Sequence, residues 1–187
     1  MYQIGKDKLR HTFSMSDTRR YLCGAFFFMK QIPLTKGYVA LVDDEDYDSL
    51  IKFKWNCHVV KGSDRLYAYR ANKNEITGRR VPVSMHRQIM GVTDPKVDVD
   101  HWDTYGLNNQ KHNLRVCSRS QNNGNMRRPK DNTSGYKGVS FDKKRHLWRA
   151  YLKGRSLGRF PEIGQAALAY NVAAISLWGE YARLNDV

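Results

Sequence analysis

From Gln31 onward the chain breaks into short, well-punctuated apolar and polar runs, whereas residues 1–30 show little periodicity. The apolar-rich run Ile32 to Val42 is interrupted at Lys36-Gly37 and reads as strand, turn, strand. Phe53 to Val60 and Arg65 to Ala71 both alternate and are separated by Gly62-Ser63-Asp64, which predicts a hairpin packed by Trp55, Tyr67 and Tyr69. Between these pairs, Asp43-Asp44-Glu45-Asp46 precedes the apolar pattern of Tyr47 to Ile51. Acids in that place cap a helix and complement its dipole, a better account of them than a metal site. Val81 to Gly91 predicts a strand running into a short helix stopped by Gly91, with His86 in a structural role. Val97 to Asn125 predicts a short strand, a turn-rich loop, a second short strand and a helix.

The last third has a different rhythm. Arg127 to Gly135 has the Pro, Gly and polar content of a linker. Three strand-like runs follow, Tyr136 to Phe141, Leu147 to Leu152 and Ser156 to Phe160, with basic turns between them. Gln165 to Trp178 then forms a helix with an alanine-rich packing face, ended by Gly179. The expected fold class is α+β: a small α+β region leading into a ββα unit, then a three-stranded antiparallel sheet backed by one helix. The implied boundaries are an irregular or mis-assigned start over 1–30, a domain over 31–126 with its core motif at 97–125, a linker over 127–134, and a second domain over 135–187.

Charge narrows the class of partner. The net charge is +14 over 187 residues, which points to a polyanion. The stretch from Arg127 to Phe160 holds eleven Lys and Arg against two acids, so most of the excess lies in the linker and the strands after it. Cys23, Cys57 and Cys117 have no paired spacing, so neither a disulfide framework nor a zinc knuckle is implied and a reducing cytoplasm is expected. The apolar run from Ala25 to Met29 is far too short to span a bilayer, and no signal peptide is evident.

The candidate chemistry lies at Asp100-His101, an adjacent carboxylate and imidazole followed by a helix bearing amides. Carboxylate and amide oxygens suit a hard divalent cation, and an imidazole can take a proton from water near neutral pH. Asp100-His101, Asn108-Asn109, Asn113-Leu114-Arg115 and Ser118 to Asn122 match, in order and spacing, the pattern of HNH nucleases. The stretch resembles the branch found in phage-type and intron-type homing endonucleases. That resemblance implies a divalent metal, Mg²⁺ with Mn²⁺ as the alternative, bound by Asp100 and Asn122. It implies His101 as the general base, Asn113 as the brace of the loop, and Arg115 and Arg119 as grips on phosphate. The loop departs from the family, carrying Trp102-Asp103-Thr104-Tyr105-Gly106 where a small turn is usual, and Asp103 is a further candidate contact to metal or water. Relatives often begin with Met just before a segment like Ile32 to Gly37, which makes Met29 an alternative start.

Residues 134–185 carry Tyr136-Lys137-Gly138-Val139, Trp148-Arg149-Ala150, Leu157-Gly158-Arg159-Phe160, the Ala-rich helix, Gly179, and Ala182-Arg183-Leu184-Asn185. These resemble the AP2/ERF DNA-binding domain, whose sheet lies in the major groove. The resemblance makes Arg149, Arg155, Arg159, Lys137 and Lys144 the DNA-contact candidates; strand alternation turns Trp148 towards the helix instead. The combined expectation is a metal-dependent, homing-type DNA endonuclease, monomeric and acting on double-stranded DNA in the cytoplasm of a bacterial or phage-infected cell. The alternatives are a DNA-binding regulator with an inactive nuclease motif, and an RNA-binding protein.

Overall fold

The computed structural model describes residues 29–73 and 75–187. The expectations for residues 1–28, including Cys23 and most of the Ala25 to Met29 run, lie outside the described residues. The fold is mixed α+β, with four small antiparallel sheets and four helices among the described residues.

Strands β1 (Met29–Pro33) and β2 (Val39–Asp43) pair as the expected hairpin. Its turn uses left-handed backbone at Lys36 and Gly37, the second a residue that adopts such φ values without steric cost. Ile32, Ala40 and Val42 bury one face of the hairpin against Leu34, Leu50, Trp55, Met85 and Leu107. Helix α1 (Asp44–Leu50) follows, with acids in its first turn. Asp43 occupies its N-cap position but does not cap it. Its carboxylate reaches across the fold instead, accepting hydrogen bonds from Gln110 Nε2 at 3.0 Å and the Lys111 backbone N–H at 2.7 Å. A buried carboxylate satisfied by two donors is far cheaper than an orphaned one, and here it pins a distant loop.

The second sheet has three strands, β3 (Asn56–Val59), β4 (Leu66–Lys73) and β5 (Arg80–Ser84), in that order. Strand β5 runs directly into α2 (Met85–Ile89), and Gly91 lies just beyond in left-handed backbone. Trp55 is buried in the core as expected. Tyr67 packs elsewhere, against two imidazoles: its ring centroid lies 5.9 Å from those of both His86 and His101.

The third sheet is the pair β6 (Asp98–His101) and β7 (Leu114–Cys117), with Asp100 opposite Arg115 and His101 opposite Leu114. Helix α3 (Arg119–Gly124) follows. Ser118 and Gln121 form a reciprocal capping box that fixes its first turn.

The fourth sheet contains β8 (Val139–Asp142), β9 (Leu147–Leu152) and β10 (Arg155–Phe160) in the order β10-β9-β8, with α4 (Ile163–Trp178) packed across it. Val139 and Ala150 meet Ala166 and Ala167, and Trp148 packs on that same cluster. Arg149, one residue on, pairs in register with Ser140 and Arg159 on the opposite face.

The unit after the linker does not hang free. Gly124 packs so closely on Trp178 that an added Cβ would sit 2.8 Å from the indole. Trp178 Nε1 donates to Ser120 Oγ at 3.2 Å, Tyr181 Oη to the Val116 carbonyl at 3.0 Å, and Lys137 Nζ to the Gly124 carbonyl at 2.7 Å. The Pro and Gly content of the preceding segment suggests a spacer, but its far end is docked on α3 and β7.

Candidate active site

The site is assembled by backbone before any side chain is considered. The strand edge of β2 holds the loop after β6, with Leu41 N–H donating to the Leu107 carbonyl at 2.8 Å and Asn109 N–H to the Leu41 carbonyl at 2.7 Å. Leu107 is wholly buried in the main core, so the loop has an apolar anchor beside its polar ones. Gly106 is required where the loop crosses β4, because a Cβ there would lie 2.2 Å from the Leu66 carbonyl oxygen and 2.7 Å from the Tyr67 ring. On the other side Arg87 donates to the carbonyls of Asp94 (2.7 Å) and Val97 (2.6 Å), fixing the entry to β6.

Within the loop, Asn113 and Asp103 form a closed network. Asn113 Nδ2 donates to Asp103 Oδ1 at 3.0 Å and to the Asn108 carbonyl at 2.8 Å, and Asn113 Oδ1 accepts from the Asp103 backbone N–H at 3.0 Å. Asp103 Oδ2 also accepts from Asn108 Nδ2 at 2.9 Å. Both Asp103 oxygens are thereby engaged in shaping the loop. Asp103, the further candidate contact to metal or water, is thus also part of the loop's own hydrogen-bond network. The bulky segment Trp102 to Tyr105 is accommodated by a left-handed Thr104, with Trp102 turned partly to solvent.

His101 is buried, and its Nε2 lies 3.3 Å from Asn109 Oδ1. An amide oxygen at that distance suits the tautomer that carries its proton on Nε2 and keeps the lone pair on Nδ1. Burial lowers the His101 pKa below the ordinary imidazole value, opposed by the Asn109 hydrogen bond and by the charges of Asp103 and Asp100. Its ring is in edge contact with that of His86, centroids 5.0 Å apart. Burial, then the positive charges of His101 and Arg87 when protonated, push His86 down to about 3. His86 Nδ1 and Asn109 Nδ2 are buried without hydrogen-bond partners among the described residues. His86, expected to be structural, packs edge-on against the His101 ring.

The two expected metal ligands face one cavity of about 320 Å³, which His101, Tyr67, Asn125 and Arg127 also line. Asn122 Nδ2 donates to Asp98 Oδ2 at 2.9 Å, and its amide oxygen has no hydrogen-bond partner among the described residues. Asp100 is more heavily engaged. Its Oδ2 receives Arg115 Nη2 at 2.8 Å and Nε at 3.1 Å, while Asn125 Nδ2 lies 3.0 and 3.1 Å from its two oxygens and 2.8 Å from the His101 carbonyl. Asn125 lies three residues beyond Asn122, at the C-cap of α3, and was not among the expected site residues.

Of the expected phosphate grips, Arg115 bridges Asp100 to the C-terminal unit: it also donates to the Glu180 carbonyl at 2.9 Å and lies 4.5 Å from the Tyr181 ring centroid. Lys137 is likewise bound internally, and burial followed by the nearby Arg183 lowers it to about 8. Arg119 is largely exposed, 3.3 Å from Asp98. Arg149 and Arg159 share the outer face of the fourth sheet, where Asp142 holds Arg159 at 3.1 Å. Arg155 and Lys144 are exposed at its turns.

Hard oxygen donors are thus what the site offers a metal. Among the described residues no group of three or more His, Cys, Asp or Glu converges. A carboxylate and an amide oxygen on one cavity fit a cation that keeps part of its water shell.

Comparison with known proteins finds two similar chains. It is 28% identical over 160 residues, 81% of this chain and 77% of the other, to an uncharacterized HNH endonuclease of Acanthamoeba polyphaga mimivirus. A 51-residue segment is 47% identical to Protein 3.8 of Escherichia phage T7; the match covers 27% of this chain and 42% of the phage protein. No protein-family model matches the chain, and no solved structure does. Among the described residues no helix is long and apolar enough to cross a membrane.

Proposed function

We propose that the chain is a metal-dependent DNA endonuclease of the HNH type, with the C-terminal unit gripping duplex DNA beside the cutting site. The observation that carries this reading is the convergence of Asp100, His101 and Asn122 on one cavity, with His101 Nε2 held by Asn109 so that Nδ1 is the free base. Asp100 and Asn122 are the groups that would hold a divalent cation such as Mg²⁺. Bound there, the cation supplies electrostatic stabilisation of charge developing on the phosphate and the leaving 3′ oxygen.

The chain's own residues do the rest. His101 Nδ1 takes a proton from the attacking water, a contribution typically worth ~10²–10⁴-fold in rate. Its lowered pKa keeps the imidazole neutral, and so able to accept that proton, throughout the neutral range. Asn109 and Asn113 act as positioning residues, the first on the ring and the second on the loop that carries Asp103 and Asn108. Asn125 ties the His101 carbonyl to Asp100, so the base and the ligand are held in one frame. The AP2-like role of the C-terminal unit is supported by the sequence motifs and by a three-stranded sheet whose outer face carries Arg149 and Arg159. A homing-type role is consistent with the phage and giant-virus sources of the similar proteins.

One observation favours a second reading, a DNA-binding protein that does not cut. Arg115 already neutralises Asp100, the position a cation would need. A supercoiled plasmid carrying the flanking DNA of the native locus separates the two. Nicked or linear product in Mg²⁺ but not in EDTA supports the endonuclease, and retardation without cutting in Mg²⁺ or Mn²⁺ supports the second reading.

A further inference from the structure

We propose that a basic crevice between the segment Arg127 to Lys130 and the chain's C-terminal tail binds the sugar-phosphate backbone of the DNA strand next to the cut; this rests on the nuclease reading of the adjoining cavity. The crevice measures about 560 Å³, within the ~300–1,000 Å³ typical of ligand sites. Arg127, Arg128, Lys130, Lys137 and Arg183 line it, against one acid, Asp186. It is not a separate patch. Arg127, Arg128, Pro129 and Lys130 also line the cavity holding Asp100, His101 and Asn122, so one short wall faces both spaces.

Cations outnumber acids five to one along this crevice. Arg128 and the Arg183 guanidinium have no hydrogen-bond or ion-pair partner among the described residues. Arg127 donates to Thr104 Oγ1 and Lys137 to a backbone carbonyl, both neutral acceptors. Lys130 has only Asp64, 3.9 Å away and mostly exposed. Like charges gathered in one crevice repel; burial and a neighbouring cation lower both Lys137 and Arg183, opposed at Arg183 by the charges of Asp186 and Asp103. A phosphodiester backbone relieves that repulsion, and its successive phosphates suit a row of cations better than a single pocketed charge does. The tail forming the far wall is pre-ordered. Asn185 exchanges hydrogen bonds with Asn171 on α4 and with the Lys137 backbone, so the crevice exists before DNA arrives. Arg127 also holds Thr104 in the loop after His101, linking the crevice to the site it would feed.

The test is duplex binding by fluorescence anisotropy in EDTA over a range of NaCl, so that no cutting is needed for a readout. Arg128→Ser/Arg183→Ser removes two crevice cations, and Lys52→Ser/Lys54→Ser removes two exposed cations elsewhere. Neutralised phosphates contribute about −0.9 each to the log–log salt slope. The crevice pair is expected to flatten the slope by roughly two and weaken binding at low salt by at least tenfold, with the control pair close to wild type. Equal slopes for the two variants would overturn the proposal, as would equal competition by duplex RNA. The nuclease reading fails separately, if wild type never cuts in Mg²⁺ or Mn²⁺ while the salt-slope difference persists.

Discussion

Asn109→Leu tests whether the hydrogen bond at His101 Nε2 does what the geometry implies. The substitution keeps the side chain's bulk and leaves the Asn109 backbone bond to Leu41 intact, so the loop should stay on β2. What is lost is the 3.3 Å contact that sets the tautomer and the ring orientation. A neutral hydrogen bond contributes about 0.5–1.5 kcal/mol, which corresponds to a few-fold to roughly tenfold in rate. Misdirection of the ring adds to this, but the total cannot exceed the ~10²–10⁴-fold that general-base help supplies. A 10–100-fold loss in single-turnover cleavage is therefore expected, from a protein still able to bind DNA. The pH profile adds a second readout. The Asn109 bond favours the protonated ring and so raises the His101 pKa. Its removal should move the acid limb of the rate profile to lower pH while the plateau falls. In a His101→Ala background the same change should have almost no further effect, because both act through one group. Full activity in Asn109→Leu, an acid limb that moves upward, or additive losses in the double variant would refute the assignment.

Three other outcomes follow from the same geometry. His86 and His101 are both lowered on folding, so the unfolded chain takes up protons first and stability is lost as the pH falls below about 6.5, towards about 3 for His86. Each imidazole held neutral costs about 1.4 kcal/mol per pH unit, so urea midpoints should drop between pH 7 and 5 and drop less in His86→Gln. Trp178 is nearly buried where α4 meets Gly124, and Trp178→Ala should destabilise by about 3–5 kcal/mol and expose the α3 face to faster hydrogen exchange. The Arg115 charge beside Asp100 opposes a second cation, so Arg115→Gln should tighten Mn²⁺ binding roughly tenfold, read by titration calorimetry.

The sequence revealed the elements whose signals are local and concealed the parts made by long reach. Alternation and turn residues located the hairpins, the strand before α2, and the strands and helix of the C-terminal unit to within a few residues. The Asp100-His101 pair and the Asn122 spacing were visible because they lie inside one contiguous motif. Asp43 was read as a cap because its true partners, Gln110 and Lys111, are 67 and 68 residues away. Tyr67 and His86 come from β4 and α2, and nothing in their own neighbourhoods shows that they meet His101. Asn109 and Asn125 resemble turn formers and helix-end residues until the fold turns one to an imidazole and the other to a carboxylate. The docking of α4 on α3 was hidden by a segment whose Pro and Gly content matches a spacer, although Gly124 and Trp178 are the residues that a close approach requires.

The most direct measurement is single-turnover cleavage of a short duplex from the native locus by wild type and His101→Ala, both saturating the DNA, in Mg²⁺ and in EDTA. The proposed endonuclease cuts only in Mg²⁺ and slows by ~10²–10⁴-fold when the imidazole is removed, with DNA binding unchanged. Cutting that persists in EDTA, or that proceeds equally fast without His101, would contradict it.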